Sequence, residues 1–331
     1  LSSIPCTLAY NAAGEHCFRD DHFKPYEPGR IMPASNTSPW LRAVPFLFVL
    51  LWSTGFIGAK FGLPYADPLT FLSVRFALVS VLMAALAWWV AAPWPRGWRA
   101  WWHLGIAGLL IHGAYLGGVF TEIDYGLPAG IASLLVGMQP LLTALLAGWL
   151  VHEPVSQRQW LGTCLGLLGL CLVVGLRSDV NQAQNLKLTQ LFPAVLALFG
   201  ITLGTLYQRR FCPRFDLRTG AVAQFIPTCI VSAAIVSLWG NWAITWSGEF
   251  MFALSWLVLV LSIGAVSLLG VLIRSQSAVG VSSLFYLTPA VTALMAWLLF
   301  NEQLNAWQLL GMGIAISGVW LARAKPPSSK Q

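Results

Sequence analysis

From Arg42 onward the chain is a succession of long apolar runs broken by short polar segments. The runs cover 43–62, 68–91, 101–121, 128–150, 157–176, 190–208, 218–240, 251–273, 279–300 and 305–322. Each approaches the ~20 residues that an α-helix needs to cross the hydrocarbon core of a bilayer. The pattern predicts an all-α integral membrane protein of ten transmembrane helices. The longest polar break, 177–189, divides these into two sets of five. The organisation expected is a polar tail over 1–39, a first unit over 40–176, a linker over 177–189, a second unit over 190–323 and a short tail over 324–331. Met32 stands just before the first apolar run, and native translation is expected to start there, with 1–31 lying upstream.

The two sets are related. A shift of 149 residues brings Asp67 and Thr70 onto Asp216 and Thr219, Pro140 and Thr143 onto Pro289 and Thr292, and Glu153 and Gly162 onto Glu302 and Gly311. Chance apolar similarity does not align Asp, Pro and Glu together, so this is an internal repeat. Five spans per unit is odd, so the second unit must enter from the opposite face. The expected architecture is two inverted five-helix repeats, as in many secondary transporters.

Composition sharpens this reading. Of 331 residues, 57% are hydrophobic and only 9% are charged, against about a quarter in an ordinary soluble domain. Too few charges remain to cover a water-facing surface, so lipid is the expected solvent for much of the chain. The net charge of +7 is not a nucleic-acid footprint, because the basic residues lie in short loops between apolar runs. With the N-terminus cytoplasmic, twelve Lys and Arg fall in cytoplasmic segments and three (Lys60, Arg177 and Lys187) in outer ones. That bias places both termini in the cytoplasm, and a plasma (inner) membrane is the expected location. The six cysteines form no C-x-x-C and no metal-ligand spacing, and no cofactor is expected.

At this point particular residues carry a likeness. Leu51-Trp52-Ser53-Thr54-Gly55-Phe56 leads to Asp67-Pro68 and Arg75-Phe76. Gly126-Leu127-Pro128-Ala129-Gly130 leads to Gln139-Pro140-Leu141-Leu142-Thr143, and Glu153 is followed by Trp160-Leu161-Gly162. In order and in duplicate, these resemble the EamA family of the drug/metabolite transporter superfamily, over residues from about 40 to 323. The resemblance implies ten helices in two repeats, cytoplasmic termini, and movement of metabolites, often outward.

Candidate working residues follow from depth and chemistry. Pro140 and Pro289 sit at equivalent mid-span positions in spans four and nine. Proline lacks an N–H and crowds the carbonyl four residues back, which should free the carbonyls of Val136 and Phe285. Gln139 and Thr288 precede the prolines, and Thr143 and Thr292 follow one turn later. These groups either build a midplane site or pack as a kink with Thr bonding its own helix. Trp52, Ser53 and Thr54 lie mid-span in helix one, with Thr202 and Thr205 near the corresponding place in helix six. A Trp at that depth either walls a cavity or fills the bundle interior. His112 and Tyr115 lie mid-span in helix three, and Tyr286 is a further wall candidate in span nine. Arg75 lies ~10 Å inside span two by helix rise. The reading favoured there is a structural ion pair with Asp67, Glu122 or Asp124; the other is a cavity charge that attracts anionic groups. Glu153 and Glu302 are expected to cap or complement the helices that follow them. Lys60 is expected to snorkel to the interface. Gly113/Gly117 and Gly162/Gly166 have the G-x-x-x-G spacing of close internal packing.

The function expected is a secondary transporter, an exporter of small metabolites such as amino acids or drugs. Its partners are a small-molecule substrate and the bilayer. The buried ionisable groups leave proton coupling open, and no pattern selects an oligomeric state. The chain carries no Walker A motif, no G-x-S-x-G and no H-E-x-x-H, which weighs against the alternative of a membrane-embedded enzyme. A channel would need a continuous polar stripe, and none is visible. A nearly uncharged cavity with Trp, Tyr, Gln and Thr suits a small, partly apolar solute such as an amino acid.

Overall fold

A bilayer offers the backbone no hydrogen-bond partner, so apolar spans must satisfy their own peptide groups as helices. The computed structural model describes residues 39–126, 135–175, 188–212, 215–300 and 305–323, all within one unit, Ile31–Gln331. The tails, most of the 177–189 linker, and Glu302 lie outside the described residues, as does the side chain of Lys60. Among those described, the helical segments are α1 Pro39–Gly62, α2 Pro68–Trp89, α3 Trp98–Asp124, α4 Leu135–Leu150, α5 Gln157–Gly175, α6 Leu188–Phe211, α7 Leu217–Trp239 and α8 Gly248–Ser275. Then come α9, made of Ala278–Ser282, Ser283–Tyr286 and Leu287–Phe300 in succession, and α10 Ala306–Arg323. Seven of them are long and apolar enough to cross a membrane unaided, and Ala43–Gly55 and Leu135–Leu150 are shorter apolar stretches.

The repeat is visible in the helices themselves. A shift of 149 carries Pro39–Gly62 onto Leu188–Phe211. Ser156 and Gln159 at the start of α5 exchange hydrogen bonds, Gln159 Oε1 accepting from Ser156 N and Ser156 Oγ accepting from Gln159 N. Asn305 and Gln308 do the same at the start of α10. These are reciprocal caps that satisfy helix-end N–H groups. Packing repeats too. Helix α2 lies on α7 and α5 on α10; α3 lies on α6 as α8 lies on α1; α4 lies on α6 as α9 lies on α1.

Small residues set the closest of these contacts. Gly162 and Gly169 of α5 meet the backbone of α10 at Ala322 and Ala315, and Gly318 meets the backbone of Gly166. A Cβ on Gly311 would come 2.8 Å from the carbonyl oxygen of Gly169. With no hydrophobic drive between helices in lipid, such close approach is what holds the pair. The G-x-x-x-G pairs therefore pack inside the molecule: Gly162 on α10, Gly166 also against the Tyr286 ring, Gly113 against Thr228 and Gly117 against Leu69.

Among the described residues, α3, α8 and α9 contain turns of π or 3-10 geometry. Leu109–Ala114 of α3 and Leu257–Ala265 of α8 are π-helical, at positions that the 149-residue shift nearly superposes. In α9, Ser283–Tyr286 is a tight 3-10 turn. The prolines do not sit mid-helix as expected. Helix α4 turns at Met138 and restarts at Gln139, so Pro140 lies in a first turn, where its missing N–H costs little. Pro289 follows the 3-10 turn, and the N–H of Leu287 takes up the carbonyls of Leu284 and Phe285. The Phe285 carbonyl is thus not freed.

Each end of the bundle is tied across the repeats. At one, hereafter the Tyr65 end, Ala66 bridges Ile244, Thr245 N donates to Tyr65 O at 2.9 Å, and the Tyr65 hydroxyl donates to Glu249 Oε2 at 2.6 Å. The hydrogen bond to Glu249 raises the Tyr65 pKa above its ordinary value, keeping the hydroxyl a donor. At the other, the Glu153 end, Glu153 pairs with Arg209, which also reaches the carbonyls of Ile273 and Gln276. Exposed Trp88, Trp89, Trp98 and Trp102 ring the Glu153 end, and Trp239, Trp242 and Trp246 the Tyr65 end. These are the depths at which indoles settle between lipid and water.

Substituting Gly311→Leu should destabilise the protein by about 2 kcal/mol through overpacking of α5 against α10. Gly313→Leu, where a side chain meets nothing within 4 Å, should be neutral. Thermal unfolding of the detergent-solubilised protein would compare the two, and equal midpoints would refute the seam.

Candidate functional site

A narrow cleft of about 30 Å³ opens between α1, α2, α3 and α8. Trp52 comes from α1, Arg75 from α2, and Ile111, His112 and Tyr115 from α3. Leu261 and Val266 of α8 complete the far wall, so both halves of the chain build it. The π-helical turns place Ile111, His112 and Leu261 on this face. Such one-residue expansions break helical register and often mark functional sites.

Each polar wall residue has a defined setting. Trp52 stacks on Tyr115 with centroids 6.0 Å apart and planes 14° apart, and its Nε1 donates to the Tyr115 hydroxyl at 3.3 Å. Phe48 and Phe285 pack on its other sides. The His112 ring stacks on Phe225 at 4.1 Å, and its Nε2 lies 3.2 Å from Gln224 Oε1. Because that oxygen only accepts, Nε2 is assigned the proton, which leaves Nδ1 an acceptor without a partner. Gln224 in turn donates to Gln208 Oε1 at 3.0 Å. This chain of side chains leads toward the Glu153 end, into a second cleft bordered by Gln208, Gln224, Ala221 and Gly270. Ile111 and Val266 border both clefts.

Arg75 departs from the expected ion pair. Its Nε donates to Ser262 Oγ at 3.0 Å, Nη1 has no partner, and the residue is 1% exposed. Among the described residues, no carboxylate lies in ion-pair reach of it. Glu122 is 0% exposed, and neither of its oxygens has a partner. The physical reason is geometric: Ser262 on α8 of the other repeat, and not a neighbouring acid, faces the guanidinium. In the sequence, Glu122 stands out only as a partner for Arg75. The signal it passed over is the spacing of His112, Tyr115, Val119 and Glu122, which runs along one face of a helix.

The remaining candidates fall elsewhere. Gln139 is fully buried with neither amide atom bonded, and the hydroxyls of Thr143, Tyr286 and Thr288 are likewise without partners. They lie on α4 and α9, away from the walls of the cleft. Ser53 Oγ donates to Val49 O at 2.7 Å and lies 3.3 Å from Thr288 O, and Thr292 Oγ1 reaches Ser53 O at 3.4 Å, tying α1 to α9 behind Trp52. Thr54 donates to Leu51 O and receives Trp256 Nε1 at 2.9 Å, tying α1 to α8. Thr202 and Thr205 bond carbonyls of their own helix.

Glu153 does not cap the helix that follows it, since Ser156 and Gln159 fill that role. Its Oε2 instead accepts the N–H of Ala278 at 3.0 Å, at the start of α9 in the other repeat, while Oε1 pairs with Arg209. One carboxylate thus joins two α-helices of the second repeat to the loop of the first.

A duplicated helical bundle with a cleft walled by both repeats is the arrangement expected of a membrane transport protein. The chain belongs to the EamA-like transporter family, whose model matches residues 42–175 and again 188–324. It is 24% identical over 287 residues to a "Probable amino-acid metabolite efflux pump" of Escherichia coli (strain K12), covering 83% of this chain and 92% of that one. It is 26% identical over 284 residues to an "Uncharacterized transporter" of Archaeoglobus fulgidus, covering 84% and 96%. A crystal structure of a protein with 19% identity shares the fold at a TM-score of 0.70, covering 86% of this chain and 98% of that one.

Glu153→Ala should cost about 2–3 kcal/mol by stranding Arg209 and the Ala278 N–H together. Glu153→Gln, which retains an acceptor, should cost less. Chemical unfolding of the two variants checks the order, and wild-type stability in both would contradict the tie.

Proposed function

We propose that the protein is a secondary transporter that exports small metabolites of amino-acid or drug type by alternating access. In this reading ten spans form two inverted five-helix units, 40–176 and 190–323, in a plasma (inner) membrane with both termini cytoplasmic. The observation that carries it is the cleft, with Trp52, Arg75, His112 and Tyr115 contributed by one unit and Leu261 and Val266 by the other. A solute held there touches both units, so rocking one against the other changes which end it faces. The name of the Escherichia coli relative supports metabolites as cargo and outward movement as the direction.

The ties at the two ends act as the gates. Release of Tyr65 from Glu249 and of Thr245 from Tyr65 opens one end. Release of Glu153 from Arg209 and Ala278 opens the other. Ile111 and Val266, which border both clefts, form the inner constriction on the Glu153 side. Glu122, buried with neither oxygen partnered, is the residue we assign to carry a coupling proton.

Uptake of labelled amino acids and drugs into proteoliposomes tests this. Saturable uptake of an unmodified compound, reduced roughly tenfold or more by Trp52→Ala through loss of an aromatic wall, is expected. An imposed pH gradient should stimulate the wild type and leave Glu122→Gln unaffected. Chemical conversion of the compound, or uptake indifferent to Trp52→Ala, would contradict the reading.

A further inference from the structure

The cleft's walls carry one permanent charge and nothing to balance it. Arg75 is buried in the wall with Nε fixed on Ser262 and Nη1 unbonded. The residues lining the cleft include no acid, and no described carboxylate pairs with the guanidinium. A cation buried in this way is costly unless a counter-charge completes it. The repeat-equivalent residue is Gln224, which is fully engaged between His112 and Gln208. A charge is therefore not required at the equivalent position of the second repeat.

We infer that the cleft selects a monocarboxylate with an apolar or aromatic body, its carboxylate held by the free edge of the Arg75 guanidinium and its body laid along Trp52 and Tyr115. The guanidinium offers its remaining N–H groups in the planar fork that two carboxylate oxygens match. Ser262, by holding Nε, fixes the direction of that fork. The walls beyond it are apolar or aromatic, so a second charge on the solute has no partner. A cationic amine meets Arg75 with like charge. A zwitterion meets only the neutral Nδ1 of His112 and the Tyr115 hydroxyl with its ammonium.

This inference deepens the transport reading and takes from it only that the cleft admits a solute. Binding is therefore measured separately from movement. The full chain in lipid nanodiscs would be titrated calorimetrically with four compounds of one shape: 3-phenylpropionate, 3-phenylpropionamide, 3-phenylpropylamine and phenylalanine. The carboxylate should bind at least about tenfold more tightly than the amide, the amine should not compete with it, and phenylalanine should fall between. Arg75→Gln, which borrows the residue of the other repeat, should bind carboxylate and amide alike. Arg75→Lys should recover part of the preference. Equal affinity for carboxylate and amide in the wild type, preference for the amine, an unchanged preference in Arg75→Gln, or no binding of any of the four overturns the inference. If another solute is still transported in vesicles, the transport reading survives that failure. If the carboxylate binds as described but no solute of any class moves, the transport reading fails and the carboxylate site stands.

Discussion

A peptide group in hydrocarbon has no water to turn to, and the architecture of this chain follows from that scarcity of partners. Regular helices meet the requirement along most of the length. Where the helices depart from regular geometry, at the π turns of α3 and α8 and the 3-10 turn of α9, the segments are buried in protein or border a cleft. Irregular backbone at membrane depth is tolerated only in such places. The departures sit at near-equivalent positions of α3 and α8, so duplication brought two expanded turns to opposite walls of one cleft. The same scarcity gives the unbonded groups their meaning. Arg75 Nη1, His112 Nδ1 and the Glu122 carboxylate stand without partners, where a missing hydrogen bond is expensive.

The two-fold plan also explains how the bundle combines rigid and separable contacts. Helices α5 and α10 approach through glycine and alanine, with backbones in contact. The ends are joined differently, by a few polar ties: Tyr65 to Glu249 at one, Glu153 to Arg209 and Ala278 at the other. Polar ties at the water boundary can exchange with solvent at small net cost, whereas the glycine seam cannot part without exposing a void. The close backbone contacts and the polar ties accordingly lie in different parts of the fold.

Much of the fold was legible in the sequence, because span length and the shift of 149 residues are local or periodic signals. Depth marks Trp52, His112 and Tyr115 in the sequence, and all three border the cleft. What depended on contact between repeats was not. Arg75 sits opposite Ser262, 187 positions away, and no local pattern announces that. Glu153 reaches across to Ala278 in place of capping its own successor. The prolines look mid-helix in the sequence because an apolar run does not reveal that its helix restarts at Gln139. Gln139, Thr143, Tyr286 and Thr288 share that mid-span depth but do not line the cleft, since depth does not fix the direction of a side chain.

The central claim is that one cleft is exposed at alternate ends as the two units move. Pulsed electron-spin distance measurements test it most directly, with labels at Pro64 and Ala243 on one end and at Pro154 and Ser275 on the other, all four exposed. The account predicts two distances for each pair, with a solute or pH gradient lengthening one pair as it shortens the other. Single, unchanging distances, or pairs that lengthen together, would contradict it.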